Sequence, residues 1–172
     1  MDLAQLYEQC APNVAPQTLA AIVRVESGGN PWRIGINGDY VLPRQPVNQA
    51  EAISKANRLI NMGYNIDMGL MQVNIKNLNA LKLSVEQVFD PCTNIKAGAQ
   101  ILQDFYQKSV NEMGQGQQSL RRAISAYNTG NFSKGFANGY VAKVTQEQTL
   151  PDESSILAKA LQSSNVLAWS GE

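Results

Sequence analysis

The sequence predicts a mainly helical domain, α+β in class, with one small antiparallel sheet. Three observations carry that expectation. Apolar stripes at helical spacing recur: Leu19, Ile22 and Val23, then Ala52, Ile53, Ala56, Leu59 and Ile60, then Ile95, Leu102, Phe105 and Tyr106. Steps of three and four place such side chains on one face of a helix. Helix punctuation brackets the stripes, with Asn48, Ser84 and Asp90-Pro91 at starts and Gly28-Gly29 at a stop. Only "IGINGDYVL" offers a clear strand signal, an Asn37-Gly38 pair between apolar-rich flanks that reads as a β-hairpin turn.

Taken in order, the first helix is expected over about residues 14–27. Pro16 lies in its first turn, where a missing N–H is harmless, and Pro31 blocks continuation beyond the two glycines. The hairpin follows, and "LPRQP" interrupts the chain again. Asn48 caps a helix over about residues 49–62. "GYNIDMGLMQVN" reads as a loop leading into a short helical piece. Ser84 caps a turn with Glu86 and Gln87 behind it, and Asp90-Pro91 opens a long helix to about residue 110. "MGQGQQ" is a linker. The next helix, over about residues 118–127, ends in "AYNTGN", and Tyr140 starts a last helix to about residue 148. "TLPDESS" marks a domain edge, so residues 1–148 are read as the domain and 149–172 as a tail or extra helix.

Composition limits the chemistry. The chain has 172 residues, 44% of them hydrophobic and 16% charged, which suits one globular domain with a substantial core. Lys+Arg and Asp+Glu number 14 each, so net charge offers no case for nucleic-acid binding. No apolar run reaches the roughly 18 residues of a membrane span. There is no histidine, which removes Ser-His-Asp and Cys-His catalysis and every His-containing metal site. Acid–base work falls to carboxylates, Tyr, Lys or Cys.

Glu26 is the residue out of place. It continues the stripe of Leu19, Ile22 and Val23 at i+7, where a core side chain is expected. It also stands in the last turn of its helix, where the macrodipole disfavours a carboxylate. Both effects favour the protonated form, and a carboxyl with a pKa pushed toward neutrality can serve as a general acid. The bland alternative is a Glu paired with Arg24 or Arg33. A glycosidase normally uses two carboxylates. Asp39 and Asp67 are the candidates for the second, although Asp39 reads as a turn residue and Asp67 as a helix cap.

The cysteines, Cys10 and Cys92, are too few for a four-ligand zinc site. They are either two unrelated buried thiols or a disulfide, which would contribute roughly 3–5 kcal/mol and imply an oxidising compartment. The chain begins Met1-Asp2-Leu3, without the basic and apolar regions of a signal peptide. It is therefore expected to be either cytosolic or exported with a leader already removed.

"ESGGNP" at 26–31, "GLMQVN" at 69–74 and "AYNTG" at 126–130, in that order, resemble the soluble-type lytic transglycosylases with a goose-lysozyme-like fold. "FDPCTNIKAGAQIL" at 89–102 is similar to the third helical block of that family. The 42 residues between Glu26 and Gly69 exceed the stretch in many members. With Cys10 and Cys92, that length looks like the branch associated with type IV secretion and conjugation, which opens peptidoglycan for an envelope-spanning machine. Asn74 stands where some relatives carry Met.

The resemblance implies a lysozyme-like fold with a cleft and a single catalytic Glu26. Glu26 would protonate the glycosidic oxygen between N-acetylmuramic acid and N-acetylglucosamine. The substrate's acetamido group would stabilise C1, and Glu26 would then take the proton of the attacking 6-hydroxyl, giving a 1,6-anhydro product. Ser27 would seat the sugar or orient Glu26. Gln72 would bond the glycan, Met71 would form an apolar wall, Tyr127 and Tyr140 would stand near Glu26, and Asn128 would contact the acetamido group. It implies neither cofactor nor metal, a periplasmic location, peptidoglycan strands and secretion-system components as partners, and a Cys10–Cys92 disulfide. Two other readings stand beside it. One is a hydrolytic muramidase using Asp39 or Asp67, and the other a weakly catalytic glycan-binding scaffold of the secretion system.

Overall fold

The structure is a computed structural model, and it describes residues 2–146. The segment read as a tail, and the end of the last expected helix at 147–148, lie outside the described residues. The chain order is α1 (Leu3–Cys10), α2 (Pro16–Glu26), β1 (Ile34–Asn37), α3 (Gln49–Asn61), β2 (Asn65–Met68), β3 (Val73–Asn74), α4 (Ile75–Leu81), α5 (Val85–Val88), α6 (Pro91–Met113), α7 (Gln117–Thr129), α8 (Lys134–Ala137) and α9 (Tyr140–Thr145). No helix among the described residues is long and apolar enough to cross a membrane.

Local chemistry sets the helix ends. Asn48 Oδ1 accepts from the Glu51 N–H, and Asp90 Oδ1 from the Thr93 N–H. Ser84 and Gln87 form a reciprocal capping box before α5. The α1 helix was not expected. Its cap, Asp2, accepts from Ala4 and Gln5, and its stripe of Leu3, Leu6, Tyr7 and Cys10 faces the interior. That stripe has helical spacing and was legible, but it is only eight residues long.

The sheet is antiparallel, ordered β1-β2-β3, and it corrects the hairpin expected at Asn37-Gly38. β1 pairs with β2, Ile34 opposite Met68 and Asn37 opposite Asn65, and not with the residues that follow Gly38. Those residues run instead into Pro43 and Pro46, which have no N–H to give a ladder. Gln45 takes the place of a strand on that edge. Its Oε1 accepts from the Ile34 N–H at 2.8 Å and its Nε2 donates to the Ile34 carbonyl at 3.0 Å. The true hairpin joins β2 to β3 through residues 69–72, inside the stretch read as a loop.

Two apolar clusters make the core. One gathers α1, α2, α7 and α9 around Leu19, Ile22, Leu70, Met71 and Leu102. The other packs α3, the sheet, α4 and α5 around Ile34, Ile66, Met68 and Phe89. The 23-residue α6 serves both, with Ile95 and Ala99 turned to the first and Ala97 to the second. At about 1.5 Å per residue it is a spine some 34 Å long. Cys10 and Cys92 are joined, with their Cα atoms 5.4 Å apart, which ties α1 to the start of that spine.

Candidate active site

A cleft of about 610 Å³ opens between the sheet, α4, α6 and α7, and Glu26 stands in its lining at the end of α2. The stripe that predicted its burial is real, since Leu19, Ile22 and Val23 are fully buried while Glu26 is only partly so. The carboxyl therefore sits where the apolar face of α2 meets the cleft.

The proton chemistry of Glu26 follows from that position. Burial pushes its pKa up to about 7 from an ordinary 4.5; a hydrogen bond from Tyr140 pulls down, the Asp67 charge pushes up and the Arg33 charge pulls down. The Tyr140 hydroxyl donates to Glu26 Oε1 in a short contact. Among the described residues no other hydrogen bond reaches the Glu26 carboxyl, so Oε2 is left to the cleft. Burial, and then the Glu26 charge, hold the Tyr140 phenol far above the usual range, so it stays a donor. Neither arginine forms a hydrogen bond with Glu26. Arg24 donates instead to the Lys143 and Val144 carbonyls at the end of α9, at 3.1 and 3.4 Å.

Gln72, Tyr127 and Asn128 line the same cleft. Gln72 adopts a left-handed backbone, φ +49°, uncommon for a residue with a side chain. Its Nε2 donates to the Arg33 and Gly69 carbonyls at 3.1 and 2.9 Å, and its Oε1 lies over Gly35, where a Cβ would come within 2.6 Å of it. The amide nitrogen is thus committed to the protein, and only the oxygen is left for a ligand. Tyr127 donates its hydroxyl to the Met71 carbonyl at 2.7 Å. Burial, followed by the Glu26 and Asp67 charges, keeps that phenol protonated. Asn128 is exposed, and its Oδ1 accepts from Asn138 Nδ2 at 3.1 Å.

Three expected residues do not line the cleft. Met71 is fully buried beneath it, not on its wall, because Gly98 of α6 leaves the space that its thioether fills. Ser27 is buried, with its hydroxyl donating to the Val23 carbonyl at 3.1 Å and accepting from the Gly29 N–H at 3.2 Å. Tyr140 is buried behind Glu26 and reaches the site only through it.

The two other carboxylates differ. Asp39 is exposed and away from the cleft lining. Asp67, on β2, lines the cleft and caps no helix. Asn37 Nδ2 donates to its Oδ2 at 2.8 Å and Asn74 Nδ2 to its Oδ1 at 2.6 Å. Burial raises its pKa, and those two amides oppose the rise.

Sequence reading also missed Asn94, a buried residue of α6. Its Oδ1 accepts from the Met71 N–H at 2.8 Å, and its Nδ2 donates to the Met68 and Val88 carbonyls at 2.9 and 2.8 Å. The amide fills the space a Cβ on Gly69 would need, so only glycine, here at φ +78°, fits that corner. Asn94 thereby fixes the turn that presents Gln72. A buried Asn inside a helix was the available signal. Among the described residues no group of three or more His, Cys, Asp or Glu side chains converges as a metal site.

The Transglycosylase SLT domain model matches residues 4–150 of the chain. The chain is 44% identical over 162 residues to the type IV secretion system protein virB1 of Brucella abortus biovar 1, covering 94% of this chain and 63% of that protein. It is 45% identical over 137 residues to protein virB1 of Agrobacterium fabrum, covering 79% of this chain and 55% of that protein. Protein virB1 of Rhizobium radiobacter is 42% identical over 146 residues, covering 83% and 59% respectively. The chain thus spans less than two thirds of the length of these curated relatives.

Proposed function

Because the chain belongs to the transglycosylase SLT domain family, we propose that it is a lytic transglycosylase that cuts peptidoglycan glycan strands with Glu26 as its one proton-transfer group. The observation that carries this reading is the Glu26 carboxyl in the cleft lining, with one oxygen held by Tyr140 and a pKa raised by burial to about 7. Near neutral pH such a group is protonated in about half the molecules, which suits a general acid that must also act as a base.

Protonated Glu26 donates from Oε2 to the oxygen linking C1 of N-acetylmuramic acid to N-acetylglucosamine. The C1–O bond breaks, and the muramyl 2-acetamido oxygen stabilises C1. The 6-hydroxyl then bonds to C1 and releases its proton to ionised Glu26. Bonds and protons balance without water, and the enzyme ends as it began. In the second half Tyr140 stabilises the carboxylate. Gln72 Oε1, Tyr127 and Asn128 are the groups proposed to contact the sugar. Met71 and Ser27 act from beneath, holding the Tyr127 hydroxyl and the end of α2.

The names of the relatives support a setting in a type IV secretion system. We place the activity in the periplasm, where a Cys10–Cys92 disulfide persists. There it would open the wall locally for the secretion apparatus. Residues 1–148 are proposed as the catalytic domain.

A second reading has its own observation. Asp67 faces the same cleft, oriented by Asn37 and Asn74, and could activate water. Mass spectrometry of digested wall separates the two, because an anhydro end is lighter than a hydrolysed end by one water. Anhydro ends made by wild type and lost in Glu26→Gln are expected. Reducing ends alone would establish a muramidase.

A further inference from the structure

On a surface that shares no lining residue with the cleft, the loop at 38–47 and the end of α3 form a shallow groove of about 440 Å³. Tyr40, Leu42, Leu59 and Met62 supply its apolar lining, and Arg44, Lys55 and Arg58 its polar lining. Large apolar side chains are unusually open here. Tyr40 is 43% exposed, Val41 79%, Val47 67% and Met62 62%, and among the described residues only Met113 and Phe136 join them as exposed large hydrophobics. Of these, Tyr40 and Met62 line the groove itself beside its three cations, and exposed apolar side chains gathered with charge mark an interaction surface.

The loop that carries these residues is pinned. Gln45 bonds both backbone groups of Ile34. Glu51 accepts from the Val47 N–H at 3.0 Å and pairs with Arg44 at 2.6 Å and Lys55 at 3.1 Å. Lys55 also donates to the Arg44 carbonyl at 3.0 Å. The Val47 N–H first, then Lys55 and Arg44, hold the Glu51 carboxyl at about 2. The rings of Tyr40 and Tyr64 meet at 5.3 Å. The polar contacts fix the loop at residues 44–47, and the ring contact holds Tyr40 at its other end, which lowers the ordering cost of binding.

We propose that this groove docks a protein segment in which aliphatic or aromatic side chains are flanked by carboxylates. Charge complementarity selects that occupant. Three cations line the groove and no carboxylate does; Glu51 pairs with two of the cations from outside the lining, and Arg58 has no carboxylate partner among the described residues. The apolar lining supplies contact area and the cations select against basic segments.

Selection of a phage-displayed random peptide library on the full chain tests this, with Tyr40→Ser/Met62→Ser and Arg58→Glu as comparison targets. The expected peptides combine carboxylates with aliphatic or aromatic residues. They should bind both variants about tenfold or more weakly than wild type, the loss of a typical interface anchor. Thermal melts and wall clearing matching wild type would show that both variants fold and that the cleft is untouched. No enriched peptides, peptides without carboxylates, or equal binding to all three proteins would each overturn the proposal. Co-sedimentation of wild type, but not of the variants, with phosphatidylglycerol vesicles would overturn it in favour of a membrane.

Discussion

Glu26→Gln separates ionisation from shape, and its effect on stability can be worked out in advance. The amide keeps the side-chain length, and its oxygen can still accept from Tyr140. What it removes is the charge that burial penalises. Native Glu26 holds its proton up to about pH 7, whereas an ordinary glutamate releases it near 4.5. Between those values the folded protein binds a proton that the unfolded chain has lost. Wild-type stability therefore carries no cost from this group below the lower value, and loses ground as pH rises through the higher one. At about 1.36 kcal/mol per pH unit the full cost is close to 3 kcal/mol above pH 7. For a domain of this size, that corresponds to about 6–12 °C in Tm. Differential scanning calorimetry of both proteins from about pH 4 to pH 8 reads the effect across the window where the group titrates. The two melting curves should coincide at the acid end and diverge with rising pH, with Glu26→Gln the more stable. If Glu26→Gln is instead destabilised most at the alkaline end, Glu26 is an ionised, paired carboxylate and the acid-catalyst argument fails. Coincident curves throughout would mean that its pKa is ordinary.

Tyr140→Phe deletes a charge-assisted bond worth about 1.5–3 kcal/mol, so the alkaline limb of kcat/KM should move up by about 1–2 pH units as activity falls. An unmoved limb would show that Tyr140 does not act on the carboxylate. Asp67→Asn removes a charge that raises the Glu26 pKa, so the same limb should move down, by less than Tyr140→Phe moves it up; anhydro ends should remain the product. Cys10→Ser/Cys92→Ser opens a link between residues 82 apart and should cost about 4.5 kcal/mol in urea unfolding; thiol titration of the denatured, unreduced wild type should find no free thiol. Gly69→Ala sets a Cβ against the Asn94 amide at a left-handed φ and should cost about 2 kcal/mol or more, with Gln72 displaced and wall clearing reduced.

Where order is set by neighbours in the chain, the sequence was readable. The Asn48 and Ser84 caps and Asp90-Pro91 each act within one helical turn and the stripe ending in Glu26 within two, and each stands where it was expected. The hairpin at Asn37-Gly38 failed because a distant residue won. β2 supplies the ladder from beyond α3, and Gln45 saturates the other edge of Ile34. "YNIDM" alternates weakly, so its pairing shows only once β1 is beside it. In the cleft, Glu26 was legible as an acid in an apolar stripe. Asp67 looked like a helix cap because the amides that hold it, Asn37 and Asn74, lie 30 residues before it and seven after it. Met71 was expected on a wall because the family resemblance implied it there beside Gln72. The left-handed turn at Gln72 and the space over Gly98 send the two side chains in different directions.

The hydrogen bond between Tyr140 and Glu26 spans 114 residues. Glu26 ends α2 near one end of the domain's sequence and Tyr140 opens α9 near the other, so bringing them together closes a long loop of chain. A contact that distant must offset the entropy of closing the chain between its partners. Without α9 in place, Glu26 would lack the Tyr140 hydroxyl that holds Oε1. The surroundings that make Glu26 the proposed acid therefore belong to the closed domain, and a copy that has not closed would lack them.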